Sequence, residues 1–319
     1  MKYCEISLAF FPSCRDYINE FGGMAEVYAD AYQIMKNAQY LKAAKRFSHK
    51  WLLNSMAAGK DNLDNKHANT QVPKAVGYQR IAELTNDTTY TTAATFFWNR
   101  VVNHRSLSLG GNSRREHFPE KDDCISYAEE REGPETCNTY NMLKLTEGLF
   151  RMHPSASYSD FYERAVFNHI LSSQHSEHGG YVYFTPARPC HYRVYSAPNS
   201  AMWCCVGTGM ENHGKYGEFI YSHTTDSLFI NLFIASKLNW KDKKVTLTQK
   251  TLFPDEENSQ ITINVKKPTR FTLLIRHPRW VSSSDMKVTH NGKNYAIGSS
   301  PSSYIKIGKM EMLSISILP

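Results

Sequence analysis

Fifty residues, from Tyr40 to Tyr90, separate two copies of one pattern. Tyr40, Ala43, Ala44 and Phe47 in the first copy recur as Tyr90, Ala93, Ala94 and Phe97 in the second. Apolar positions three and four apart mark a helix, and an alanine pair on its buried face lets it lie close against a neighbour. Each copy closes a helical hairpin. "GGMAEVYADAYQIMKNAQYLKAAKRFSHKWLL" turns at Lys36–Asn37, and "NTQVPKAVGYQRIAELTNDTTYTTAATFFWNRVV" turns at Asn86–Asp87. A third, "NTYNMLKLTEGLFRMHPSASYSDFYERAVFNHIL", turns at a proline and matches more loosely around Phe161 and Ala165. Helix pairs repeated at a period of about 50 to 65 residues build an α-solenoid or a closed α/α toroid.

From about residue 178 the period changes to two. "YVYFTP", "SLFINLFIAS", "KVTLTQKTLF", "QITINV", "RFTLLIR" and "SYIKIG" alternate apolar with polar or β-branched residues, as half-buried strands do. His290-Asn291-Gly292-Lys293 carries the residues of a tight type I′ hairpin. The expected class is therefore α+β and multidomain: a helical-hairpin domain over 1–177, a connecting segment over 178–222, and an antiparallel β-sandwich over 223–319.

The 319 residues carry a net charge of +7, with Lys and Arg scattered among acids. The densest basic stretch, "KLNWKDKKVTL", reads as the wet face of a strand pair, so no nucleic-acid partner is expected. No apolar run approaches the roughly 18 residues of a membrane helix, and none is expected to span one. "MKYCEISLAFFPSC" makes a poor signal peptide. The seven cysteines are odd in number and widely spread, which suits reduced thiols in the cytoplasm better than a disulfide framework. Cys4, Cys14, Cys124 and Cys190 have no partner legible in the sequence. Asn86-Asp87-Thr88 is a formal glycosylation sequon of little weight without a secretion signal.

Chemistry concentrates between the two regions. In "AMWCCVGTGMENHGK", Cys204 and Cys205 are adjacent, with Cα atoms too close for an unstrained disulfide. As a pair they are either buried core or thiolate chemistry. "GGNSRREHFPEKDDC" places Glu116 and His117 in a loop behind a glycine pair. "GPETCNTYNMLKL" places Glu135 and Cys137 two apart, just before a helix. Residues two apart do not share a helical face, so they converge only where the chain is extended or turning, with Pro134 at the bend. Glu135, Cys137, Cys204 and Cys205 together would make a sulfur-rich tetrahedral set suited to zinc, provided loops some 67 residues apart meet. His117, Glu211 and His213 are additional donors whose simpler role is structural.

Several of these segments carry a resemblance. "EFGGMAEVYADAYQI", "HANTQVPKAVGYQRI", "GGNSRREHF", "ETCNTYNMLKLTEGLF", "DFYERAVFNHIL", "YVYFTP" and "WCCVGTGMENHGKYGEFIY" stand in order over residues 19 to 240. They resemble the signature of the β-L-arabinofuranosidases of glycoside hydrolase family 127 and its relative, family 146, and lie closer to the latter. The resemblance implies a retaining glycosidase with a zinc-held cysteine nucleophile. On matching positions, Cys204 would be the nucleophile and Glu116 the acid/base. Glu135, Cys137, Cys204 and Cys205 would hold the zinc, and His67, Glu163 and Tyr183 would line the sugar pocket. The implied partner is an arabinose-containing oligosaccharide or glycan.

Simpler roles exist for each of these residues. Glu116 reads as a solvated loop acid, His67 as a helix-capping histidine, Tyr183 as strand core, and Glu163 as the partner of an arginine. Family members carry a long stretch ahead of the "EFGGM" motif, so the chain is expected to hold only part of the toroid. A second copy would then be expected to cover the exposed edge. Two other functions compete: a remnant whose zinc only staples the helical domain to the sandwich, and a toroid enzyme working with two carboxylates such as Glu116 and Glu135.

Overall fold

The computed structural model describes residues 21–290, 293–295, 300–309 and 313–318. Helices occupy the first part: α1 (Met24–Met35), α2 (Ala38–Phe47), α3 (Lys50–Ala57), α4 (Ala68–Thr85), α5 (Thr88–His104), α6 (Ile125–Glu129), α7 (Thr136–Met152) and α8 (Ala156–Ala165). A short helix α9 (Cys204–Asn212) follows an irregular stretch. Ten strands follow among the described residues.

The first two hairpins turn where expected, and by one device. Lys36 ends α1 in the left-handed region (φ 55°) with its N–H on the Tyr32 carbonyl, and Asn37 caps α2 by accepting from Gln39 N at 3.0 Å. Asn86 (φ 56°) and Asp87 do the same for α4 and α5, Asp87 accepting from Thr89 N at 3.1 Å. A left-handed cap followed at once by an N-cap satisfies orphan backbone groups on both sides of a two-residue turn. The alanine pairs Ala43–Ala44 and Ala93–Ala94 are buried, as are Phe47 and Phe97. Helix α3 adds a short element after the first hairpin.

By compactness the chain divides into two units. One comprises Met1–His153 with Arg164–His213, the other Pro154–Glu163 with Gly214–Pro319. The first turns of α8 thus group with the strands, and α7 and α8 each form where the helical pattern predicts.

In the second unit, β3 (Ser236–Trp240), β4 (Val245–Thr251), β5 (Ser259–Val265), β7 (Lys287–His290), β8 (Lys293–Tyr295) and β10 (Leu313–Leu318) form an antiparallel sheet in the order β3-β4-β5-β10-β7-β8. β1 (Tyr221–His223), β2 (Ser227–Ile230), β6 (Thr272–His277) and β9 (Ser303–Lys309) form a second sheet in the order β1-β2-β6-β9. Inward residues from both sheets, among them Leu228, Ile230, Leu247, Ile261, Leu273 and Ile275, make one core.

Two sequence expectations need correction. The sandwich is not wholly antiparallel: β2 and β6 run parallel, Ser227 opposite Thr272 through Ile230 opposite Ile275. Between them the chain supplies β3, β4 and β5 to the other sheet, and a parallel pair requires such a long crossover. "YVYFTP" is not a ladder strand. Its residues make separate bridges, Tyr181 with Gln174, Val182 with Tyr195 and Phe184 with Glu135. β7 and β8 pair across His290 and Lys293 as the hairpin motif predicts; Asn291 and Gly292 lie outside the described residues. Cys4 and Cys14 lie outside them too.

Candidate active site: three thiols, two carboxylates and a phenol

Two helix starts build the centre. Glu135 is the extended N-cap of α7, which places Cys137 in the first turn beside it. Convergence two residues apart thus comes from a cap and the turn it caps, with only Glu135 extended. Cys204 and Cys205 open α9 behind Trp203 in extended conformation. Helix N-termini present unpaired N–H groups and a positive dipole end, which suit thiolates.

Glu135, Cys137, Cys204 and Cys205 bring one donor atom each to within 4.8 Å of all the others. Cys137 and Cys205 sulfurs lie 3.2 Å apart, Cys204 and Cys205 sulfurs 4.0 Å, and Glu135 Oε1 is 3.8 Å from Cys204 and 3.9 Å from Cys205. All three cysteines are free thiols. Sulfurs about 2.3 Å from a tetrahedral zinc would be about 3.8 Å apart, so the observed edges bracket that geometry. Glu135 Oε2 is buried without a hydrogen-bond partner, which leaves the carboxylate one open acceptor. Donor types, spacing and this orphaned oxygen all fit a zinc ion.

The electrostatics of the cluster are those of a cation site. Burial, then the Cys204 charge and Glu116, raise the Glu135 pKa to about 8. Hydrogen bonds from Cys137 and then Cys205 pull the Cys204 thiol far below its ordinary value, while the other two thiols are pushed up. Negative charge therefore gathers on Cys204, which is exposed, whereas Cys137 and Cys205 are buried.

Glu116 stands beside this cluster in a strained loop. Ser113 (φ 81°), Arg115 (φ 47°) and Glu116 (φ 65°) all occupy the left-handed region that L residues avoid. Backbone bonds hold the strain in place: Ala68 N donates to Glu116 O at 2.7 Å, and Arg114 and His117 exchange bonds at 2.8 and 3.0 Å. The Tyr183 hydroxyl donates to Glu116 Oε1, while its carbonyl lies 4.0 Å from the Cys205 sulfur. One tyrosine thus touches both the carboxyl and the thiol cluster. Burial, then Glu116 and Glu135, raises the Tyr183 pKa and keeps it a donor. His67, the N-cap of α4, reaches Glu116 Oε2 with its Nε2 at 3.5 Å.

The sequence candidates thus divide. Glu116, Glu135, Cys137, Cys204, Cys205, His67 and Tyr183 are brought together. Glu163 is not among them: it lies in the second unit, 5% exposed, with one oxygen on the Arg276 guanidinium and the other on Trp280 Nε1. The arginine-partner role open from the sequence is the one the geometry shows. His117 turns its Nδ1 to the Arg115 carbonyl, Glu211 accepts from the Tyr140 hydroxyl, and the His213 ring stacks on Tyr181. Cys124 and Cys190 are exposed thiols away from the cluster.

Three neighbours escaped the sequence reading. Thr208 sets its hydroxyl 3.1 Å from the Cys137 sulfur, and its place four residues after Cys204 on a helix was the available signal. Asn69 donates to Glu135 Oε1 at 3.0 Å and is itself held by Asn141. The Trp203 ring meets Tyr183 edge-on with centroids 6.2 Å apart.

Comparison with known proteins places this geometry. The family model "Beta-L-arabinofuranosidase, GH127 catalytic domain" matches residues 12–218, and "Beta-L-arabinofuranosidase, GH127 middle domain" matches residues 227–311. No curated protein matches. Among solved structures, a GH127 β-L-arabinofuranosidase from Geobacillus stearothermophilus T6 aligns with a TM-score of 0.76 at 18% identity, over 93% of this chain and 53% of its own. A glycoside hydrolase aligns at 0.80 and 17% identity, over 99% of this chain and 58% of its own. A GH127 β-arabinofuranosidase aligns at 0.78 and 20% identity, over 99% and 54%. These likenesses concern the fold, and the chain spans a little over half the length of the structures it matches. The catalytic-domain match covers the helices and every residue of the cluster, and the chain belongs to the GH127 β-L-arabinofuranosidase family.

Proposed function

We propose that the chain is a retaining glycoside hydrolase for β-L-arabinofuranosides, with Cys204 as nucleophile and Glu116 as acid/base. Zinc would be held by Glu135, Cys137, Cys204 and Cys205. The observation that carries this reading is Tyr183, whose hydroxyl donates to Glu116 and whose carbonyl lies 4.0 Å from the Cys205 sulfur. One residue thus joins Glu116 to the thiol cluster, and the two catalytic groups of a retaining glycosidase must lie close, about 5 Å apart. Cys204 is also the exposed member of the cluster, the sulfur a sugar could reach.

When bound, zinc keeps its cysteine ligands deprotonated at neutral pH and makes sulfur a better leaving group. The residues do the rest. Cys204 Sγ attacks the anomeric carbon while the glycosidic C–O bond breaks and the Glu116 proton passes to the leaving oxygen. Glu116, now a carboxylate, takes a proton from water, whose oxygen displaces sulfur from the anomeric carbon with net retention. Tyr183 and His67 flank Glu116 on its two oxygens and orient it toward the leaving group. Both would also line the sugar site, whose occupant is an arabinose-containing glycan. Free thiols in this arrangement suit a reducing compartment.

The test is zinc content and turnover of the purified chain. About one zinc per chain, hydrolysis of a chromogenic β-L-arabinofuranoside and loss of that activity in Cys204→Ser are the expected results. Zinc uptake without turnover would leave a metal-stapled fold and sink the enzymatic reading.

A further inference from the structure

We infer that Asn69 is a positioning residue for the Glu135 carboxylate, locked in that role by Asn141, so that the Asn141–Asn69–Glu135 chain sets how tightly this centre holds zinc. The inference rests on the zinc reading proposed above and adds to it two residues outside the ligand set.

Three observations carry it. Glu135 is 1% exposed, and among the described residues the nitrogen donor on its carboxylate is Asn69 Nδ2, 3.0 Å from Oε1. With that bond made, Oε2 stays buried without a hydrogen-bond partner, the oxygen most in need of a cation. Asn69 Oδ1 in turn accepts from Asn141 Nδ2 at 3.0 Å. A zinc-bound carboxylate only accepts, so Asn69 must face it with its NH2 and face Asn141 with its oxygen. Each amide thus fixes the orientation of the next.

The backbone explains why these positions serve. Asn141 follows Cys137 by four residues on α7 and so shares its face, while Asn69 lies in the first turn of α4, two residues past His67. Pro73 lacks the N–H that would bond the Asn69 carbonyl, which frees this turn from the regular helical ladder. The role needs one side chain that donates at one end and accepts at the other, at asparagine length. Aspartate would set a second carboxylate against Glu135, and alanine would leave Oε1 bare.

The test measures zinc affinity of the full chain by competition with a chromogenic chelator, for wild type, Asn69→Ala, Asn69→Asp and Asn141→Ala. Partners behind a metal ligand typically contribute about 10- to 100-fold in metal affinity. Asn69→Ala and Asn69→Asp should weaken zinc binding by that much, and Asn141→Ala by less. Adding Asn141→Ala to Asn69→Ala should cost nothing more. In cobalt-substituted protein the thiolate charge-transfer bands should persist while the d–d bands shift, because only the oxygen ligand is disturbed. Unfolding of the metal-free variants should match wild type, which a merely structural asparagine would not show. If Asn69→Ala folds poorly, Asn141→Ala carries the same comparison. Wild-type affinity in Asn69→Ala, or an Asn141→Ala effect that survives without Asn69, would overturn the inference alone. Failure of the wild-type chain to take up zinc would overturn it together with the proposed function.

Discussion

Arg276 tests the structural role that the fold assigns to Glu163. Its guanidinium is fully buried in the second unit, with Nη1 on Asp160 Oδ1 at 2.7 Å and Nη2 on Glu163 Oε2. Trp280 Nε1 donates to Glu163 Oε1 at 2.9 Å, and Arg279 N to Asp160 Oδ1 at 3.1 Å. Burial works against the charged guanidinium, yet Glu163 and Asp160 outweigh it and hold its pKa above the ordinary value. One cation therefore serves two carboxylates. Arg276→Met leaves both without it, and stranding buried charge costs about 3–5 kcal/mol. Glu163→Gln keeps a side chain that can accept from Trp280 and leaves one cation on one anion. Its cost is that of a charge-assisted hydrogen bond, about 1.5–3 kcal/mol. At about 2–4 °C per kcal/mol, the melting transition of the strand unit should fall by roughly 6–20 °C in Arg276→Met and by less in Glu163→Gln. Circular dichroism melts read both, with zinc content measured alongside. Zinc binding should be unchanged, because every ligand lies in the other unit. A Glu163→Gln variant with full stability and a raised KM for the arabinofuranoside would refute the argument and return Glu163 to the sugar pocket.

Two further outcomes follow from the first unit. Iodoacetamide on metal-free protein should label Cys204 well ahead of Cys137 and Cys205, because only Cys204 is exposed, and zinc should slow that labelling while exposed Cys124 and Cys190 react as before; peptide mass mapping reads each site. Burial, then Arg193, lowers the His169 pKa from 6.5 to about 3, and its ring is fully enclosed with Nδ1 on the Thr139 hydroxyl at 2.9 Å. The unfolded chain then binds a proton that the folded chain refuses. His169 thus stabilises fully above about pH 6.5 and loses that contribution as pH falls toward 3, by about 2 kcal/mol between pH 7 and 5. Urea unfolding at the two pH values should show that drop, and His169→Gln should flatten it; an unchanged slope would mean that the ring titrates normally.

Local chemistry made the hairpins legible. Lys36-Asn37 and Asn86-Asp87 announce a turn because a left-handed cap and an N-cap are properties of adjacent residues, and the alanine pairs announce close packing because a helix brings positions three and four apart together. Strand periods were legible for the same reason. The parallel pairing of β2 with β6 was not, since three strands of the other sheet intervene and alternation does not encode a partner. "YVYFTP" misled because its residues alternate as a strand would, while Gln174, Glu135 and Tyr195 each take one of them in a separate bridge.

At the centre the division falls between residue type and place. A glutamate and three cysteines in two short motifs, with Glu116 in a third, state which atoms are on offer, because donor chemistry belongs to the side chain. Their meeting depends on two helix starts some 67 residues apart coming to face each other. Only the folded chain decides that Cys204 is exposed while Cys205 is buried, that Tyr183 joins Glu116 to the thiol cluster, and that Asn69 reaches Glu135. It also sends Glu163 to Arg276. Exposure and hydrogen-bond partnership are relations between distant segments, set by packing, and no single segment carries them.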